Sequence, residues 1–155
     1  MIVNVGNECS GEAYQALLEF VAKLSSTFYL INQFQISEKD SPFLSQAEPY
    51  LIEERQTSEW PGTRLQGGQE SSALMISYGV TRESIKLLID TCSSLYQWSR
   101  WSQPPLPEDL GFVRLDGSVL LASISHENDA WLELDEAELS DFMAVVRSKG
   151  IIISY

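Results

Sequence analysis

Between Phe112 and Leu134 the chain alternates apolar and polar residues in three short runs parted by turn residues, a period that suits strands and not a helix. Phe112 to Leu115 breaks at Asp116-Gly117, the dipeptide favoured where two strands fold back on each other, and Val119 to Ile124 follows. A second bend at His126 to Asp129 leads into Ala130 to Leu134, which predicts a three-stranded antiparallel meander. Asp135 then offers a helix N-cap, and Leu139, Phe142, Val145 and Val146 recur at helical spacing. Gly150 marks the helix stop, and Ile151 to Tyr155 reads as a terminal strand.

The rest of the chain supplies partners for this meander. Ile2 to Val5 is short and β-prone. A helix capped by Ser10 carries Ala13, Leu17, Phe20, Val21 and Leu24 on one face, and Phe28 to Phe34 reads as a buried strand. Ser41-Pro42 starts a helical stretch reaching about Glu54, which Pro49 divides into two pieces. An irregular region around Trp60 to Thr63 and Gly67-Gly68 precedes a strand at Ala73 to Tyr78. Thr81 caps a helix whose inner face holds Ile85, Leu88, Ile89, Cys92 and Leu95, and Trp98 to Pro107 forms a stiff loop. No repeat or linker composition divides residues 1–155, so the expectation is one α+β domain: an antiparallel-dominated sheet with three to four helices packed on it.

Catalytic readings fail on geometry. His126-Glu127 begins like a zinc-binding His-Glu pair, but Ala130 occupies the place of the second histidine, and the local pattern is a turn. Ser125 and His126 are neighbours on an extended chain and face apart, so they make no triad with Asp129. His126 and Glu127 are expected to shape the turn, with Asn128 left-handed. Gly67-Gly68 runs into Gln69-Glu70 and lacks the lysine and hydroxyl of a phosphate loop. Cys92 lies on an apolar helix face and reads as an inert core thiol, and the adjacent Glu53-Glu54 cannot face each other as a catalytic pair. No cofactor or metal is expected.

The charge is more informative. The net charge is −12, and ten of the 22 acidic residues lie between Glu108 and Asp141 with Arg114 the only lysine or arginine among them. Such a chain repels phosphates and anionic lipid, which argues against nucleic acid and membrane partners. Mutual repulsion among carboxylates costs stability, whereas a concentrated field speeds capture of a basic partner. Glu108, Asp109, Glu127, Asp129, Glu133, Glu136, Glu138 and Asp141 are therefore the candidate partner-binding face, with Trp98 and Trp101 as possible aromatic anchors. Asp135, Glu136 and Glu138 also suit the positive end of a helix, and Trp131 reads as core cover. The short N-terminal apolar run lacks a basic leader and no apolar stretch approaches membrane-spanning length, so a cytoplasmic chain is expected, with Cys9 and Cys92 reduced.

Pro105 to Gly117 (PLPEDLGFVRLDG), followed by Leu121 to Glu127 (LASISHE) and Asp129 to Leu132, resembles small acidic bacterial immunity proteins of contact-dependent growth-inhibition and polymorphic toxin systems. The resemblance covers residues 105–132. The Leu-Pro element is also similar to one in the SUKH immunity superfamily, but Asp116-Gly117 stands where that superfamily usually has Asn-Gly-Gly. The resemblance implies a non-enzymatic protein that neutralises a cognate toxin, often a basic nuclease, by occluding its active site. A general acidic protein-interaction module is the alternative reading.

Overall fold

The meander forms with its second and third strands where the sequence places them, but its first strand runs Glu108–Val113, starting four residues before the expected Phe112 and ending before Leu115. The sheet grows outward from both sides of the meander. The computed structural model describes residues 1–67 and 71–155; Gly68, Gln69 and Glu70, part of the expected irregular region, lie outside the described residues. In chain order the elements are β1 (Ile2–Val5), α1 (Glu12–Ala22), β2 (Thr27–Asn32), α2 (Pro42–Ala47), β3 (Leu51–Thr57), β4 (Glu59–Trp60) and β5 (Thr63–Arg64). They continue with β6 (Ala73–Gly79), α3 (Arg82–Thr91), β7 (Glu108–Val113), β8 (Val119–Ile124), β9 (Asp129–Glu133), α4 (Glu136–Lys149) and β10 (Ile153–Ser154). Among the described residues, eight strands make one antiparallel sheet in the order β10-β1-β9-β8-β7-β2-β6-β3, and β4 and β5 form a separate hairpin. This is the expected α+β architecture, with four α-helices among the described residues.

The helices cover one face of the sheet. Val3, Val5, Phe28, Leu30, Leu110, Phe112, Leu121, Ala130 and Leu132 meet Leu17 and Val21 of α1, Leu88 of α3 and Phe142 of α4 in the main core. Each large apolar side chain buried there contributes about 1.5–3 kcal/mol. A smaller core lies on the opposite face, where Tyr29, Ile31, Ala73 and Met75 pack under Trp60 and Leu65 from the β4–β5 region. β2 is thus buried on both sides, which is why its sequence is continuously apolar and shows no alternation.

Two of the four α-helices have their N-termini capped by side chains; α2 does not, since the Ser41 hydroxyl makes no capping hydrogen bond and is buried without a partner among the described residues. Thr81 and Ser84 form a reciprocal capping box on α3, as do Asp135 and Glu138 on α4. Gly150 ends α4 in the left-handed region. Nor does a side chain cap α1: Gly11 is its N-cap, and Ser10 instead bridges to Ser94. A further correction concerns residues 51–54, the end of the stretch read above as helical, together with the three residues after them. They form the edge strand β3, because hydrogen bonding to β6 outweighs the helix preference of Glu53, Glu54 and Arg55.

Where β2 meets β7, Tyr29 stands opposite Gly111, and its ring crosses the glycine so closely that a Cβ would sit 2.2 Å from Tyr29 Cζ. Gly111→Ala must displace that ring and is expected to cost about 2–3 kcal/mol or more in urea denaturation. Tyr29 Oη is buried without a hydrogen-bond partner among the described residues, so Tyr29→Phe should leave stability unchanged or raise it in the same assay.

Candidate functional site

The acidic run does not fold into one surface. β9 carries its acids along the length of the strand, while the strand pairs beside it bury others. The eight residues proposed above therefore fall into three environments.

Glu108 and Asp109 are buried, at 7% and 4% exposure, and are corrected here as members of an exposed face. The cause is a bulge in β7. Tyr29 pairs with Gly111 but Ile31 with Glu108, so β7 holds one residue more than its partner, and Asp109 adopts φ 56° there. Its carboxylate accepts from Trp60 Nε1 at 2.8 Å and from the Ser125 amide at 2.9 Å, and its own amide donates to Ser125 Oγ at 3.0 Å. Asp109 thus ties the hairpin, β7 and the His126 turn together. Burial, and secondarily the charge of Asp109, raises the pKa of Glu108, against the opposing pull of Arg100 and His126.

Glu138 is largely occupied. Arg114 Nη2 lies 2.6 Å from Glu138 Oε2 and also donates to Glu133 O at 2.7 Å, while Arg114 Nη1 donates to Val119 O at 3.0 Å. The one arginine of the acidic run thereby links the meander to the start of α4. Asp116 accepts from the amide and hydroxyl of Ser118, which lowers its pKa and closes the β7–β8 turn.

The exposed acids are Glu127, Asp129, Glu133, Glu136 and Asp141. Ala130 and Leu132 enter the helix-side core, so Asp129, Trp131 and Glu133 project from the opposite face of β9, spanning roughly 13 Å. The hairpin cover reaches its limit there: a Cβ on Gly62 would stand 2.6 Å from Trp131 Cη2. Beyond Trp131 the neighbouring row is Asn4, opposite Trp131, and the exposed Ile2, opposite Glu133. Glu136 and Asp141 belong to α4, in the layer on the other side of the sheet. Asp129, Glu133, Glu136 and Asp141 join no ion pair among the described residues.

No family model, curated protein or solved structure matches the chain. The geometry is accordingly the main ground for function.

The two proposed anchors separate cleanly. Trp98 is fully buried and is corrected as an anchor: it packs edge-on to Phe43 at 4.9 Å and donates to Tyr14 Oη at 3.1 Å, which in turn donates to Leu88 O. Trp101 is 73% exposed. Arg100, which the sequence reading passed over, places its guanidinium 4.3 Å from the Trp101 ring and 3.6 Å from that of Phe34. A lone arginine between two serine-rich turns carries no periodic signal; an aromatic on either side in space was the missing information. Trp131, read as core cover, is half-buried at the rim described above.

His126 sits exposed in a single 3-10 turn, 3.7 Å from Glu127, and Asn128 is left-handed at φ 52°. Among the described residues no group of three or more His, Cys, Asp or Glu is placed to hold a metal ion. Both thiols are buried, and burial pushes Cys9 and Cys92 up to about 12, which suppresses the nucleophilic thiolate. No helix of the described residues is long and apolar enough to cross a membrane.

Because the folded-state pKa of Glu108 is raised, its ionisation opposes folding, and stability is lost as pH rises through that pKa. Glu108→Gln should therefore be more stable than wild type at neutral pH, with the difference vanishing below the ordinary carboxylate range in denaturation measured against pH. Asp109→Ala strands two buried donors and should lose about 2–4 kcal/mol at neutral pH in the same measurement.

Proposed function

We propose that this chain is a non-enzymatic immunity protein that binds a cognate bacterial toxin domain in the cytoplasm and occludes its active site. The observation that carries the proposal is the row Asp129, Trp131 and Glu133 on the outer face of β9, where the hairpin reaches only as far as the tip of Trp131 and both carboxylates stay exposed. Two unpaired carboxylates bracket a half-buried indole, with Ile2 exposed beside them. The two carboxylates stand farther apart than the screening length of about 8 Å, so they repel each other only weakly, yet both present negative charge to an approaching basic surface. An apolar centre with a charged rim is the composition of a protein interface.

Glu127, exposed in the turn that leads into β9, adds a further carboxylate next to the row in sequence. A nuclease domain is the partner class that fits best, because its substrate groove is lined with bases that these carboxylates would pair with and shield. Long-range attraction raises the association rate, and burial of Trp131 slows release. The resemblance over residues 105–132 supports the same reading from sequence.

The test is co-expression and co-purification with any toxin domain found encoded beside this chain, followed by association kinetics. Asp129→Lys with Glu133→Lys should slow association at least about tenfold and flatten its dependence on salt. Glu136→Lys with Asp141→Lys, on the helix layer, should change both much less. Equal effects of the two pairs would remove the β9 face from the account, and absence of any neutralised toxin would remove the immunity role.

A further inference from the structure

The two edges of the sheet are finished differently. β3 closes one edge with Glu53, Glu54 and Arg55 exposed along it and an irregular register between Leu51 and Glu53. Charges and a bulge of this kind keep an edge from pairing with another chain. β10 closes the other edge, where residues 150–155 (Gly-Ile-Ile-Ile-Ser-Tyr) contain neither charge nor proline. Ile152 is 62% exposed there.

The backbone of this edge is suited to meeting a copy of itself. Gly6 N donates to Ile152 O at 2.7 Å, and Ser154 stands opposite Asn4. Ile152 and Ser154 therefore turn their peptide groups toward β1, and antiparallel alternation turns those of Ile151, Ile153 and Tyr155 outward. These three outward-facing residues are symmetric about Ile153. A twofold axis through Ile153 would set it against its own copy and Ile151 against the partner subunit's Tyr155, completing both rows of hydrogen bonds at once.

The helix above the edge supplies a matching charge pattern. α4 lies over β10, with Tyr155 Oη 3.4 Å from Met143 Sδ. Its first half carries Glu136, Glu138 and Asp141, and its last turn Arg147 and Lys149. A twofold-related copy runs antiparallel, so the basic end of each helix points toward the acidic half of the other. A basic partner, by contrast, finds no complementary charge in residues 150–155.

We propose that this edge is a self-association surface at which a second copy of the chain pairs β10 with β10 about a twofold axis. The test is sedimentation velocity of the purified full chain over a wide micromolar concentration range. The expected result is a dimer of twice the chain mass. Ile153→Pro removes the central outward N–H without touching a bond to β1, and Ile152→Lys places a guard charge on the strand. Both variants should sediment as monomers with unchanged far-ultraviolet circular dichroism; where the proline variant fails to fold, the lysine variant decides. A wild-type chain that remains monomeric throughout overturns the proposal, as does a dimer that persists in the folded variants.

Discussion

The strand Thr27–Asn32 has no polar face to give to water, and that single fact organises the molecule. A strand apolar on both sides must be covered on both sides. The helix layer covers one, and the β4–β5 hairpin, pinned by Trp60 to Asp109, covers the other. The hairpin is small, and its cover ends at Gly62 against Trp131. Everything beyond, from β9 to β10, has helices beneath it and an uncovered outer face. The proposed docking row is where the second cover runs out.

Much of this was legible in the sequence because local chemistry and tertiary packing agree. Asp116-Gly117, the alternation through Val119 to Leu134 and the caps at Thr81 and Asp135 all produced the elements they favour. The failures share a cause. Leu51 to Thr57 is polar on both faces and locally helix-prone, so only its pairing with β6 makes it a strand. Ser10 has the right side chain for a cap but is held by Ser94, far away in the chain.

The acidic run shows the same division more sharply. Its density could be counted in the sequence, but a formal charge does not say whether a carboxylate faces solvent, a cap or a buried indole. Asp109 is consumed by Trp60 and Ser125, and Glu138 by Arg114 and the α4 cap. Neither partner of Asp109 could be assigned before the bulge in β7 was known. Period two along β9 did place Asp129, Trp131 and Glu133 on one face, and that row is what remains when the structural roles are subtracted. The histidine contributes a turn.

Amide hydrogen exchange of the chain, alone and in complex with a basic toxin domain that it neutralises on co-expression, tests the central claim most directly. The account predicts new protection concentrated in residues 1–5 and 127–134, with α2 and α3 unchanged. Protection confined to α2 and α3, with β9 exchanging as in the free protein, would contradict it.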